Sequence, residues 1–219
     1  MTYIQDLVTD QEISDLTDAG LLNTRMNWDC SITVLNYSKL AQVTKGAWDS
    51  LALRQLRGMV IDSSGIVLAR CLPKFFNREE PLAAPISLTE PVEITDKLDG
   101  SLIHVFYNPH TDSMEVASRG SFGSIQAKSA RQWLADNPQV LSGNLSIYKD
   151  LTLVCEWISP DNRIVVDYGT YQGLKLLCAI DNTDGFIHSV NSPLCEVVWG
   201  GLKTDVLPYT TLAEYLTLP

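Results

Sequence analysis

Near the N-terminus, Ile4, Leu7, Val8, Ile13, Leu16, Leu21 and Leu22 fall at mostly helical intervals among Asp, Thr and Glu. That spacing predicts one or two short helices between residues 3 and 26. From Ser31 the period changes, and residues 32–35 read as a strand. Residues 59–61 and 66–69 flank Asp62-Ser63-Ser64-Gly65, a hairpin with Gly65 available where the turn needs positive φ. Pro81, Pro85 and Pro91 punctuate a loop-rich stretch before a strand predicted over 92–95. Residues 102–107 and 114–118 form a second hairpin, and 124–136 a helix stopped near Asn137-Pro138. Residues 151–158 and 174–180 are apolar runs that predict buried strands. The fold class is therefore α+β, mainly antiparallel sheets with inserted helices, with no internal repeat or flexible linker.

Composition narrows the class further. The 219 residues are 45% hydrophobic and 19% charged, enough to bury a core and too apolar for a disordered chain. No stretch approaches the ~20 apolar residues of a bilayer span, and Met1-Thr2-Tyr3-Ile4-Gln5-Asp6 lacks signal-peptide order. A cytoplasmic protein with no membrane partner is the expectation. The charge balance is 16 basic against 26 acidic residues, a net −10, so the overall field does not steer this chain to nucleic acid. Phosphate chemistry would need a local cluster of Lys and Arg. The five cysteines (30, 71, 155, 178, 195) form no C-x-x-C, and with three histidines they suggest reduced thiols rather than zinc.

Candidate chemistry centres on Lys97-Leu98-Asp99-Gly100-Ser101, between two predicted strands. A lysine beside a glycine that admits close approach of backbone suits a nucleophile, although this short motif alone fits a plain turn with Lys97 in solvent. Glu156 lies at the end of the apolar run Leu151-Thr152-Leu153-Val154-Cys155. An unpaired glutamate there is costly, which favours either a site role or a buried pair with Arg163 or Lys97.

Further segments accompany the lysine in order: Arg57-Gly58, Lys74-Phe75-Phe76-Asn77, Ser118-Arg119-Gly120-Ser121 and Glu156-Trp157-Ile158-Ser159-Pro160-Asp161-Asn162-Arg163-Ile164-Val165. With K-x-D-G-S they resemble, from about residue 55 to 180, the adenylyltransferase domain of the RNA ligase 1 family of T-even phages, covalent nucleotidyltransferases with an ATP-grasp-like ligase fold. The departures are Arg119 where that family often has Lys, and Trp157 where it often has Phe. The resemblance implies an ATP-dependent RNA ligase in RNA repair. Lys97 attacks the α-phosphate of ATP and carries AMP, the AMP passes to an RNA 5′-phosphate, and a 3′-hydroxyl displaces it. Partners are then RNA ends, with tRNA as one candidate, and cofactors are ATP with Mg²⁺ or Mn²⁺, in a host-cell cytoplasm if the gene is a phage's.

The attacking amine must be neutral, and neighbouring cations with partial burial would lower its pKa from ~10.4. The resemblance gives Arg57, Lys74 and Arg119 the phosphates or ribose, with Gly100 in the nucleotide turn. Glu156 would hold metal-bound water or ribose. Asp99 contacts nucleotide or only shapes the turn. Lys175 is either a phosphate contact or a strand-edge lysine facing water. Phe75-Phe76 and Tyr168/Tyr171 are read as core.

Two further family elements, an E-G-Y-V-like strand and a K-x-K strand, have no counterpart here. After Glu156 the glutamates are Glu196 and Glu214, neither followed by Gly, and after Lys175 the one lysine is Lys203. The expectation is one adenylyltransferase domain over 1–219, incomplete at its C-terminus, without the family's RNA-specificity domain. Such a chain would be a fragment of a longer ligase, a truncated gene product, or half of a split ligase that associates with a missing C-terminal part, and by itself an impaired nucleotide-binding fragment. A DNA ligase or capping relative also uses K-x-D-G, but the K-F-F-N and S-P-x-N-R-I-V blocks argue against it.

Overall fold

The computed structural model describes residues 1–217; Leu218 and Pro219 lie outside the described residues. The N-terminal sheet contains β1 (Leu22–Met26), β2 (Ile32–Tyr37), β3 (Met59–Asp62) and β4 (Val67–Ala69), paired in that order. A second sheet contains β5 (Ser101–Asn108), β6 (Ser113–Ser118), β7 (Leu151–Ile158), β8 (Gly173–Asp181) and β9 (Ile187–Ser189). Its order is β6-β5-β7-β8-β9, and all named pairings are antiparallel. The α+β expectation therefore holds.

Helices α1 (Asp10–Asp18), α2 (Lys39–Val43) and α3 (Leu51–Gln55) cover one face of the first sheet, through Leu16, Ala41 and Leu53 against Leu35 and Met59. Helix α4 (Ile125–Asp136), capped by the Ser124 hydroxyl, packs Ala130 and Leu134 on Ile103 and Val105 of the second sheet. Strand alternation sends Phe106 to the opposite face, where it meets Ile32, Val34 and Val60 between the sheets. Shorter helices α5 (Pro193–Val198) and α6 (Leu212–Leu216) follow.

Asn182 ties the sheets together. Its amide nitrogen donates to Leu68 O at 2.9 Å, and its Oδ1 accepts from Thr152 Oγ1 at 2.7 Å and Arg70 N at 3.2 Å. Among the described residues no helix is long and apolar enough to cross a membrane. The five cysteines are all free, and all but Cys30 are buried.

The predicted hairpins, the helix at 124–136 and the strands at 151–158 and 174–180 all form, and Gly65 takes φ +86°. Two expectations fail. Leu22 opens β1 instead of closing a helix, because residues 22–26 pair with 33–37 and Gly20, at φ +69°, ends the helical path. Residues 92–95 are extended but form no strand of a sheet. They exchange isolated bonds with the C-terminal segment, Val92 N to Thr210 O at 2.9 Å and Leu207 N to Ile94 O at 2.7 Å. Pro91 and Pro208 lack the N–H groups that a continuous ladder would use.

Candidate active site

Lys97 lies four residues before β5, on the extended segment that the C-terminal chain supports. Its neighbour Leu98 is buried and anchors the turn, while Lys97 itself is exposed. The expected partial burial of the amine is not found, since the segment runs along a cleft mouth rather than inside a sheet. Gly100 lets this turn press against β7: a Cβ there would stand 2.3 Å from Trp157 O and 3.1 Å from Glu156 Cγ. Asn162 fixes the same corner, donating to Trp157 O at 3.0 Å and accepting from Ser101 Oγ at 3.1 Å.

The cleft has a volume of about 680 Å³ and is lined by Arg57, Lys97, Gly100, Arg119 and Glu156. Leu102, Glu156 and Leu177 form its floor from three adjacent strands. Phe75 and Ile187 add apolar surface, and Glu93 and Asp96 stand near Lys97. Arg57 precedes Gly58, whose φ is +78°. Arg57 Nη1 donates to Leu72 O at 2.9 Å, with its guanidinium 5.4 Å from the Phe75 ring centre. Arg119 follows β6, donates to Tyr37 Oη at 3.0 Å and stacks 5.0 Å from that ring. Among the described residues, neither arginine nor Lys97 has a carboxylate within 4 Å.

Glu156 is buried, and burial pushes its carboxyl up to about 7; a Gly100 backbone hydrogen bond and the Lys97 charge pull the other way. It makes no ion pair with Arg163, which binds Asp167 at 2.7 Å, or with Lys97. Beneath the arginines lies His104, fully buried with neither ring nitrogen hydrogen-bonded. Burial, with Arg57 and Arg119 nearby, pushes its pKa down to about 3, so the imidazole stays neutral. Gly58 is what leaves it room, since a Cβ there would sit 2.5 Å from His104 Cε1.

Three predicted contacts stand elsewhere. Lys74 lines a separate hollow, with its amine 4.2 Å from the Phe76 ring centre; the cation–π contact turns it from the cleft. Asp99 faces the opposite side of its turn and accepts from Val165 N at 2.6 Å and Val166 N at 2.7 Å, an arrangement that shapes the 163–168 loop. Lys175 is the register partner of Glu156, yet its amine lies 5.5 Å from the Tyr171 ring centre and outside the cleft lining.

A sequence profile of the RNA ligase family matches residues 55–215, nearly three quarters of the chain. The chain belongs to the RNA ligase family. The match reaches past the quoted motifs into the C-terminal segment that supports Lys97. Two forms of an archaeal ATP-dependent RNA ligase have a similar fold, with TM-scores of 0.61 and 0.57 at 15% and 16% identity. They cover 96% and 97% of this chain, which spans 54% of the length of each. A fainter likeness, TM-score 0.40 and 18% identity over 54% of this chain and 37% of the other, is to a Naegleria gruberi RNA ligase variant with ATP and Mn. No curated protein matches.

The sequence reading of this RNA ligase family member missed Phe75, His104, Leu177 and Ile187. Phe75 is 60% exposed, against the expectation that an adjacent aromatic pair belongs to the core. His104 carried no sequence signal, because a histidine in an apolar strand reads as ordinary core.

Proposed function

We propose that this chain performs the nucleotidyl-transfer step of an ATP-dependent RNA ligase, with Lys97 as nucleophile. One observation carries the reading: Lys97, Arg57 and Arg119 converge on one cleft, none of them held in an ion pair, beside the carboxyls of Glu93, Asp96 and Glu156. Cations held out of ion pairs are free to meet a polyphosphate. Phe75, Leu177 and Ile187 offer the apolar surface a purine ring needs.

In this mechanism the Lys97 amine, having given its proton to solvent, attacks the α-phosphorus of ATP. An N–P bond forms, the bond to the β-phosphate oxygen breaks, and pyrophosphate leaves. Arg57 and Arg119 stabilise charge on the phosphoryl oxygens as it builds. An oxygen of an RNA 5′-phosphate next displaces the lysine, and an RNA 3′-hydroxyl then displaces AMP to join the strands. Glu156 fits a hydrated Mg²⁺ or Mn²⁺, since such a cation takes one or two carboxylates with waters and phosphate oxygens. Its charge would be eased by the dication that burial otherwise opposes, and the bound metal would supply neutralisation of the phosphates.

A second reading is a nucleotide-binding chain that does not turn over. Lys203, the one lysine after Lys175, is bonded to Glu196 instead of facing the cleft. ATP labelled at the α-phosphate, with Mg²⁺ or Mn²⁺, separates the two. The expected result is an acid-labile, alkali-stable adduct that Lys97→Ala abolishes. An adduct that survives Lys97→Ala overturns the assignment, and ATP binding with no adduct selects the second reading.

A further inference from the structure

Beside the Lys97 cleft runs a second one, of about 470 Å³. One wall comes from Asn23 and Arg25 of β1, Asn36 of β2, and Lys39 and Gln42 at α2, all of them before residue 55, where the family match begins. The other wall is the start of β5 and the turn after β6, through Gly100, Ser101, Arg119 and Ser121. The two clefts share Gly100, Leu102 and Arg119, so the second opens onto the site of Lys97.

Its chemistry is one-sided. Arg25 and Lys39 are exposed, and among the described residues neither has a carboxylate within 4 Å. No Asp or Glu lines it, in a chain with 26 of them. Asn23 and Asn36 face each other in the β1–β2 register. Asn36 donates to Tyr37 O at 3.0 Å, and its Oδ1 is buried without a hydrogen-bond partner. A separate hollow follows along the chain from both walls, past Arg25 on one side and Ser121 on the other, lined by Trp28, Phe122, Lys128 and the paired Glu115 and Arg131. Trp28, at the β1–β2 turn, is 90% exposed. A tryptophan so placed buries nothing in the fold and offers a flat face for stacking.

We propose that this groove binds a single-stranded RNA, its phosphates on Arg25, Lys39 and Arg119 and an unstacked base on Trp28, leading the 5′ end toward Lys97. Cations alone would take any polyanion. The exposed indole adds a preference for bases, and the amides of Asn23 and Gln42 can both give and accept hydrogen bonds at ribose 2′-hydroxyls. The choice of RNA rests on the nucleotidyl-transfer reading, and the test keeps the two apart.

The full chain is titrated against a short 5′-phosphorylated single-stranded RNA, with fluorescence anisotropy as readout at several salt concentrations, and against DNA of the same sequence. Lysyl-AMP formation is measured in parallel. For Arg25→Ala with Lys39→Ala, the salt slope should shrink by about 1.4, the contribution of two single-strand phosphate contacts. Trp28→Ala should weaken binding roughly 5- to 150-fold, the range for loss of one stacked base. Neither variant should change lysyl-AMP formation. Trp28 is free of the core, so that variant decides the matter even if the double variant unfolds. Undiminished RNA affinity in folded variants overturns the groove, as does absence of wild-type binding or equal affinity for DNA. RNA binding that depends on these residues, in a wild-type chain forming no adduct, supports the groove and sinks the catalytic reading.

Discussion

Glu156 sits close enough to Lys97 and Arg57 for their charges to lower its pKa, yet burial prevails and holds it at about 7 against an ordinary 4.5. A carboxyl raised in the folded state weakens folding as pH climbs from the unfolded value to the folded one. The penalty is absent below 4.5 and complete above about 7, where it amounts to roughly 3 kcal/mol. Urea denaturation should therefore find Glu156→Gln equal to the parent near pH 4.5 and more stable near pH 8. A gap independent of pH would refute this account. Asp99 is the opposite case: the N–H groups of Val166 and Val165 hold its carboxyl below the usual carboxylate range. Asp99→Ala should speed hydrogen exchange at those two amides while leaving the β7 amides protected, as read by mass spectrometry.

At the scale of elements, the two sheets are joined by a polar clasp as well as by the apolar layer of Ile32, Val34, Val60 and Phe106. Asn182 lies 2% exposed and serves Leu68, Arg70 and Thr152 at once. Asn182→Ala strands these buried groups at a cost of about 1–3 kcal/mol each, tempered by relaxation. Stability should fall by several kcal/mol, measured by thermal or urea unfolding, and a loss under about 1 kcal/mol would contradict the clasp. Elements with one strong local rule were legible in the chain: the Gly65 hairpin, the Ser124-capped helix and the apolar run of β7. Residues 22–26 and 92–95 were not. Their state depends on partners far along the sequence, residues 33–37 for the first and 205–211 for the second, which no local period can report.

For the whole molecule, the decisive contrast is between a net charge of −10 and a cleft where Lys97, Arg57 and Arg119 offset Glu93, Asp96 and Glu156. Binding of ATP should then weaken as salt rises, while a neutral adenosine shows little dependence; calorimetry at two ionic strengths checks both. Equal salt dependence for the two ligands would place the polyphosphate elsewhere. The order and spacing of the motifs already resembled the ligase family, although covalent nucleotidyl transfer itself asks only that a lysine, a close-approaching glycine and cations meet in space. What the order of residues could not reveal is which cations share a cavity. Lys74 is held by Phe76, Asp99 by the 165–166 amides and Lys175 by Tyr171, while Phe75 and neutral His104 enter the neighbourhood unannounced. Sequence supplied the chemical types and their strands through local periodicity and turn chemistry. Side-chain direction and burial arise from the packing of one sheet on another, and only the folded chain decided those.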